Sequence, residues 1–257
     1  MSGALPGDFS RVGFVTGLAQ EARIARRLGP LVAVGGGTRD GARAAAHRLA
    51  DAGATALVSF GIAGGLDPAL RPGALVMPRC VLVLGEPDVW IETDSALSGA
   101  LAASLRARAS AGAPQSPARR GLLRPLLRTG LAAMVDGTIV GAGALVVSAA
   151  QKRRLYEETG CAAVDLESGA VAEVAQARSL PFAVLRAIGD PAEAGLPPAA
   201  RAGLSPRGGI AWLPVLASVL RQPRQVPALL RLGRQAAAAR RALTRVARGP
   251  VRRRNPL

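Results

Sequence analysis

The sequence predicts an α/β fold: a single domain with a central mixed, largely buried β-sheet flanked by helices, plus a C-terminal basic helical extension. Three observations support this prediction. Short apolar segments of strand length alternate with helix-like segments along the chain. These apolar segments are continuous, which is typical of strands that are buried on both faces. Of the 257 residues, 49% are hydrophobic, so the chain can bury a sizeable core.

Six strands and three helices are predicted along residues 1–190. The strand candidates are 12–16, 31–34, 56–60, 75–83, 144–148 and 182–188. The helix candidates are 19–27, 40–52 and 167–178, each rich in alanine. Two glycine clusters, Gly35 to Gly37 and Gly61 to Gly65, follow the second and third strand candidates. Glycines at strand ends let backbone amides approach a ligand, but neither cluster has the spacing of a dinucleotide fingerprint.

Positive charge is concentrated at one end of the chain. The whole sequence has 33 basic and 17 acidic residues, a formal net charge of +16. Residues 201–257 hold 13 arginines and no acidic residue, whereas residues 1–200 hold 20 basic and 17 acidic residues. This split excludes a protein that coats nucleic acid uniformly, and we expect no nucleic-acid partner. We therefore divide the chain into an α/β domain at 1–205 and a basic amphipathic helical extension at 206–257.

The extension is predicted to contain an amphipathic helix. Its apolar stripe, with spacings of three and four, comprises Leu229, Leu232, Ala236, Ala239, Leu243 and Val246. A basic helix of this kind can contact an anionic membrane through residues 226–254, or pack against the body or a second subunit. Both alternatives stay open. Because no signal peptide or spanning segment is visible, we expect a cytoplasmic protein, with peripheral contact on the inner face of the membrane as one alternative.

Three acidic residues follow predicted strands at comparable positions. Glu21, Glu167 and Asp190 are expected to project from the same carboxyl edge of the sheet, without lysine neighbours. Such carboxylates suit a reaction that passes through a cationic, oxocarbenium-like transition state. The alternative is that they cap helices and form surface ion pairs, and spacing alone leaves both open. The single histidine, His47, has no ligand set around it, so no metal site is predicted.

Four segments resemble motifs of the nucleoside phosphorylase superfamily, in the expected order along residues 12–193. They read GFVTGLAQE at 13–21, GIAGGLDP at 61–68, AVDLES at 163–168 and VLRAIGD at 184–190. The similarity is closest to the branch that contains 5′-methylthioadenosine/S-adenosylhomocysteine nucleosidases. Within the superfamily, residues 59–73 and 186–192 are most similar to the hopanoid-associated phosphorylases.

The resemblance implies an enzyme that cleaves the N-glycosidic bond of an adenine nucleoside. It implies that Glu21 orients the nucleophile, that Glu167 holds the ribose hydroxyls and that Asp190 protonates the purine. It also implies substrate contacts at Ala63, Gly64, Leu166 and Ser148, and a phosphate or nucleophile pocket at Gly17, Gly36, Gly61 and Ile62. No cofactor is implied. Inorganic phosphate is a candidate co-substrate, and water is the alternative nucleophile.

The resemblance to the hopanoid-associated branch implies adenosylhopane as the substrate. The products would be adenine and a ribosylated hopanoid, a bacterial membrane lipid. A soluble nucleosidase of the methylthioadenosine/S-adenosylhomocysteine type is one alternative, and a non-catalytic nucleoside- or lipid-binding protein is another. Because members of the superfamily commonly form dimers or larger rings, we expect a homo-oligomer.

The chain departs from the nucleosidase pattern in three places. Ile62 stands where the nucleosidases carry a small polar residue, and Gly189 replaces the serine that precedes the purine-protonating aspartate. After Ser148, residues 149–152 lack the aspartate and the aromatic residue of the purine loop. We therefore expect a different surface beside the base and a different 5′ side of the pocket.

Overall fold

The structure, a computed structural model, describes residues 8–111, 134–202 and 212–248. Its strands are β1 (Val12–Thr16), β2 (Val32–Val34), β3 (Ala56–Gly65), β4 (Leu75–Val76), β5 (Cys80–Val83), β6 (Val89–Glu92), β7 (Met134–Val135), β8 (Thr138–Gly141), β9 (Ala163–Asp165) and β10 (Phe182–Asp190). Its helices are α1 (Ala19–Ala25), α2 (Arg39–Asp51), α3 (Ser95–Ala111), α4 (Ala149–Thr159), α5 (Ser168–Ala177), α6 (Pro198–Ala202), α7 (Trp212–Arg221) and α8 (Val226–Ala247).

The predicted mixed sheet flanked by helices is confirmed, and β3 is its central strand. β1 and β10 both pair with β3 in parallel, and β2 extends this parallel group beyond β1. The end of β3 pairs with β9 in the antiparallel sense, and β8, β5 and β6 continue the sheet to an edge. The second half of β3 therefore lies between β9 and β10, so residues that follow these strands can meet beside it.

Helices cover both faces of the sheet, as the continuous apolar runs predict. β1 is buried at every position, and its neighbouring residues Phe14 and Val15 belong to cores on opposite faces. On the Val15 face, α2 and α5 supply buried residues such as Leu49 and Val171. On the Phe14 face, α1, α3 and α8 complete the other core. This burial on both sides fixes the sheet that carries the predicted site residues.

Three strand predictions are wrong in detail. The strand candidate 56–60 is too short, because residues 61–65 continue β3 in register with β9 and β10. The run 75–83 forms two short strands, β4 and β5, on either side of Pro78, which lacks an amide hydrogen for the ladder. Residues 144–148 are not a strand but lead into Ser148, whose hydroxyl caps α4 by accepting a hydrogen bond from the Gln151 amide at 3.1 Å.

The C-terminal helix α8 packs part of its apolar stripe against the body. Ala239, Leu243 and Val246 are buried in the core that α1 and α3 share, which is the docking alternative and leaves this part of the stripe covered. Leu230, near the start of α8, is 57% exposed. Arginines 252–254 of the predicted basic face lie outside the described residues. Within the described ranges, no helix is long and apolar enough to cross a bilayer.

We expect the replacement Leu243→Ala to lower the free energy of unfolding by about 2–5 kcal/mol, because it removes a fully buried side chain and leaves a cavity. The matched control is Leu230→Ala on the exposed part of the same helix, which should change stability by less than about 0.5 kcal/mol. Chemical denaturation measures both values. Equal effects of the two replacements would contradict the docking of α8.

Candidate active site

Glu21 and Glu167 lie together beside the carboxyl end of β1. Glu21 comes from the first turn of α1, and Glu167 immediately precedes α5. A Cβ atom added at Gly17 would collide with the Glu167 carboxylate and lie 3.4 Å from Glu21 Oε2. The structure thus brings two of the three predicted carboxylates together, and the glycine at position 17 makes room for them.

The expectation of one shared carboxyl edge is wrong for Glu167. Glu21 follows β1 and Asp190 ends β10, and both of these strands run parallel to β3, whereas β9, which precedes Glu167, runs antiparallel to β3. Glu167 therefore reaches the cluster from the opposite direction. The sequence pattern could not reveal this, because a short apolar run does not encode the direction of its neighbour in the sheet.

Glu21 is held by backbone amides. Its Oε2 accepts a hydrogen bond from the Leu18 amide at 2.8 Å, and its Oε1 accepts one from the Ile62 amide at 2.9 Å. The side chain is buried, and this burial raises the pKa of the Glu21 carboxyl, while the positive charge of Arg186 acts in the opposite direction. The two amide hydrogen bonds therefore fix the orientation of the carboxyl group.

Arg186, in the middle of β10, is the centre of this cluster. Its guanidinium is fully buried and forms ion pairs with Asp165 at 2.6 Å and with Glu167 at 3.1 Å. It also donates to the Ser59 hydroxyl at 2.7 Å. Its Nη1 atom is buried without a hydrogen-bond partner. A Cβ atom added at Gly61 would lie 2.7 Å from this Nη1 and 2.9 Å from the Glu21 carboxyl, so the free N–H faces a space that only glycine leaves open.

Asp165 orders the start of α5. Its Oδ1 accepts hydrogen bonds from the amides of Glu167 at 3.1 Å and Ser168 at 2.8 Å. Neighbouring Glu167 is nine-tenths buried or more, and burial raises its pKa to about 7, against the opposing charge of Arg186. A carboxyl group with this pKa changes its protonation state near neutral pH, which suits a group that exchanges hydrogen bonds with sugar hydroxyls.

Asp190 lies at the far end of the glycine segment of β3, beside Lys152. A register shift at Gly189 precedes it, and Asp190 then pairs with Gly64. Lys152, the single lysine of the sequence, forms an ion pair with Asp190 and donates to the Pro191 carbonyl at 2.9 Å. The expectation that the carboxylates have no lysine neighbour is therefore wrong, because the packing of α4 brings Lys152 to a residue distant in sequence. Burial raises the pKa of Asp190 above its ordinary value, although the Lys152 ammonium acts in the opposite direction.

A cavity of about 60 Å³ adjoins this ion pair. Its lining includes Gly64, Leu166, Asp190 and Lys152. A Cβ atom added at Gly64 would lie 3.6 Å from both Asp190 Oδ2 and Lys152 Cε, so this glycine keeps the polar pair accessible from the cavity. The cavity is much smaller than the roughly 300–1,000 Å³ of whole ligand pockets, so it fits only one part of a ligand.

Among the other predicted site residues, Ala63 lies in the strand pair that carries the cluster, whereas Ser148 and Gly36 lie elsewhere. Ala63 is buried opposite Ile188 in the same strand pair that carries Gly61 and Gly64. Ser148 caps α4 and is not among the residues that line the cavity. Gly36 lies in the turn between β2 and α2, where its φ of 78° favours glycine. None of the described contacts joins Gly36 to the carboxylates.

The two departures at Ile62 and Gly189 belong together. A Cβ atom added at Gly189 would collide with Cγ2 of Ile62. The serine that the nucleosidase pattern places before the aspartate therefore cannot be accommodated without a shift of Ile62 or of the backbone.

Arg186 carries a usable signal in the sequence, although it is not among the predicted site residues. It is a charged residue inside the continuous apolar run 182–188, and a buried charge requires ionic partners. Asp165 lies inside a similar short apolar run. Lys152 carried no such signal beyond its rarity. In the part of the chain that the structure describes, no group of three histidine, cysteine or acidic residues could hold a metal ion.

Comparisons with known proteins identify the family and the fold. The family described as the phosphorylase superfamily matches residues 14–202. No curated protein sequence matches the chain significantly. Among the solved structures that share its fold, three illustrate the similarity. The 5′-methylthioadenosine/S-adenosylhomocysteine nucleosidase of Neisseria meningitidis, in complex with methylthio-immucillin-A, is 17% identical, with a TM-score of 0.59 over 93% of this chain and 99% of that one.

The other two structures come from Helicobacter pylori. The 5′-methylthioadenosine/S-adenosylhomocysteine nucleosidase with butyl-thio-DADMe-Immucillin-A is 16% identical, with a TM-score of 0.58 over 93% of this chain and 98% of that one. Futalosine hydrolase is 17% identical, with a TM-score of 0.56 over 91% of this chain and 96% of that one.

The buried Glu167 predicts a pH dependence of stability. Between its ordinary pKa of 4.5 and the raised value of about 7, the folded state holds a proton that the unfolded state has released. The stabilisation of the folded state by this protonated Glu167 is therefore fully present below pH 4.5 and is lost as the pH rises through about 7. The loss is on the order of 3 kcal/mol in the free energy of unfolding. We expect the free energy of unfolding, measured by denaturant titration, to fall over this range.

The replacement Glu167→Gln should reduce this slope, because glutamine keeps a polar partner for Arg186 without titrating. The matched control is Glu158→Gln at an exposed position of α4, which should keep the wild-type slope. A stability that rises with pH over the same range, or a slope unchanged by Glu167→Gln, would contradict the assignment.

Proposed function

The chain belongs to the phosphorylase superfamily, and from this premise we propose that it cleaves the N-glycosidic bond of an adenine nucleoside. One observation carries the proposal. The unpaired Arg186 N–H and the Glu21 carboxyl flank β3 at Gly61 and Ile62, whereas Asp190 lies beside Gly64. Two positions along a strand span about 7 Å, which leaves room for a ribose between a nucleophile at one end and a base at the other.

At the nucleophile end, Glu21 and Arg186 have complementary roles. Glu21 accepts a proton from the attacking molecule, and the free Nη1–H of Arg186 holds the oxygen of that molecule in place. The surrounding charge favours water over phosphate, because Glu21, Asp165 and Glu167 already place three carboxyl groups around one guanidinium. A phosphate dianion would add repulsion at the same point.

At the sugar and base, Glu167 and Asp190 act on the charge that develops during cleavage. Positive charge grows on the ribose ring, and the Glu167 carboxylate stabilises it while accepting hydrogen bonds from the ribose hydroxyls. Negative charge grows on the departing purine, and Asp190 passes a proton to its N7 atom. The small cavity beside Asp190 and Leu166 receives the edge of the base. The proposed chemistry uses no metal and no organic cofactor.

For the substrate we propose adenosylhopane, cleaved to adenine and a ribosylated hopanoid. The support is the similarity of residues 59–73 and 186–192 to the hopanoid-associated branch. A second support is the pair Ile62 and Gly189, which changes the pocket relative to the nucleosidase pattern. The fold shared with methylthioadenosine/S-adenosylhomocysteine nucleosidases favours the second candidate, a nucleosidase for those smaller substrates. A non-catalytic binding protein is the third candidate, but binding alone does not require a free N–H beside a buried carboxyl.

A lipid substrate requires access to a membrane surface, and we propose that residues 217–234, which we call the basic elbow, provide it. Its exposed apolar side chains are Leu220, Val226 and Leu230, with exposed fractions of 73%, 37% and 57%. Its exposed arginines are Arg221, Arg224, Arg231 and Arg234. Gln225 connects the elbow to the segment after Asp190 by accepting a hydrogen bond from the Ala199 amide at 2.9 Å.

We also propose that the α/β domain ends at residue 205 and that the basic extension begins at residue 206.

A second copy of the chain is the expected partner in a homo-oligomer. The edge strand β6 supports this proposal, because Val89 and Trp90 expose 44% and 51% of their surface there. An edge strand with exposed apolar side chains is a common site of self-association.

The proposal is tested by incubating the protein with adenosylhopane or methylthioadenosine, with and without phosphate, and measuring free adenine. We expect adenine from adenosylhopane without phosphate. A requirement for phosphate would show that phosphate, and not water, is the nucleophile. Adenine release from methylthioadenosine alone would show that the lipid is not the substrate. Adenine from neither would leave the binding-protein alternative.

The variants Asp190→Asn and Glu21→Gln should each lower the rate of adenine release by about 100-fold or more, because each removes one proton-transfer group. The matched control is Glu158→Gln on the exposed face of α4, which should keep the wild-type rate. Wild-type rates in both site variants would contradict the enzymatic proposal.

Membrane contact is tested by sedimentation with vesicles that contain phosphatidylglycerol. We expect Arg231→Glu to weaken vesicle binding by about tenfold or more, because reversing one charge removes a favourable contact of about 1 kcal/mol and adds a repulsive one. The matched control is Arg153→Glu at an exposed position of α4. Equal loss in both variants, or no sedimentation of the wild type, would exclude the basic elbow as the contact surface.

A further inference from the structure

Lys152 is completely buried, although its position on α4 is preceded and followed by the exposed residues Gln151 and Arg153. Its ammonium contacts the Asp190 carboxylate and donates to the Pro191 carbonyl at 2.9 Å. Burying an ammonium costs free energy that one ion pair does not always recover. Such a group calls for an explanation beyond stability, particularly where it adjoins a cavity.

The ion pair raises a chemical problem for the departing base. A carboxylate paired with an ammonium has no proton of its own and can only accept hydrogen bonds. Asp190 can therefore give a proton to the base only if it first receives one. Lys152 is the single basic residue among those that line the cavity, and its ammonium is already in contact with Asp190.

We propose that Lys152 is a positioning residue that supplies, through Asp190, the proton taken by the departing base. This inference rests on the proposed N-glycosidic cleavage. As the bond between C1′ and N9 breaks, its electron pair moves onto the purine. The Lys152 ammonium gives a proton to the Asp190 carboxylate and becomes an amine, and Asp190 passes a proton to N7. Water bonds to C1′ and loses its proton to Glu21. Exchange with solvent then returns a proton to Lys152 and removes one from Glu21.

Two contacts suit Lys152 to this role. The Pro191 carbonyl accepts a second hydrogen bond from the ammonium at 2.9 Å, and Gly64 leaves the carboxylate accessible to a ligand. An arginine at position 152 would keep the positive charge but not the chemistry, because a guanidinium does not give up its proton in proteins. The side chain at 152 must therefore both pair with Asp190 and release a proton.

The test compares two leaving groups in Lys152→Met and Lys152→Arg. Purine release requires a proton, whereas p-nitrophenyl β-D-riboside releases a phenolate that leaves without one. For both variants we expect kcat on the adenine nucleoside to fall by about 100-fold, with KM changed little, and the loss on p-nitrophenyl riboside to be at least about tenfold smaller. The matched control is Arg153→Met, on the exposed side of α4, with wild-type kinetics on both substrates.

Three outcomes would overturn the inference. Wild-type purine release in Lys152→Arg would show that only charge matters, and wild-type purine release in Lys152→Met would show that Lys152 is not needed. Equal losses on both substrates in Lys152→Met, with a lowered melting temperature, would assign Lys152 a structural role. If the wild-type protein cleaves only the adenine nucleoside, the rate of adenine release in Lys152→Arg decides. A wild-type rate overturns the inference, and a loss of about 100-fold supports it. If it cleaves neither substrate, the proposed function itself fails.

Discussion

The site depends on one buried cation in the centre of the sheet. Arg186 stands on β10 directly opposite Gly61 of β3, and its guanidinium has no exposed surface. A charge in that position is tolerated only when carboxylates surround it, and Asp165 and Glu167 provide them. Without the arginine, these two carboxylates would repel each other. The position of β9 beside β3, the start of α5 and the glycine in β3 thus all serve to neutralise and accommodate the buried charge of Arg186.

The second half of β3 gives the site its spacing. It contains three glycines among residues 61–65, and those at 61 and 64 leave room on the strand for polar groups from other elements. A regular strand is stiffer than a loop, so the distance between the Glu21 end and the Asp190 end is set by the backbone repeat. Side chains from neighbouring elements therefore meet the second half of β3 at fixed positions along its length.

Much of the fold is readable from the sequence, but the site is readable only in part. Strand 12–16 was predicted with its observed bounds, because a run buried on both faces is continuously apolar. Helix α3 gave no comparable signal, since its polar and apolar residues follow no clear period. Motifs identified Glu21, Glu167 and Asp190. They could not identify the contact of Lys152, because that contact exists only once α4 has packed against the end of β10.

The contact between Ile62 and position 189 determines in which order this pocket can change. A serine introduced at 189 meets the Cγ2 atom of Ile62 and is destabilising, whereas the same serine is accommodated once position 62 has a smaller side chain. The effect of the serine on stability thus depends on the side chain at position 62, which is epistasis between two residues on neighbouring strands. A lineage that starts from this pocket must replace the isoleucine before it gains the serine, and one that moves in the opposite direction must lose the serine before it gains the isoleucine.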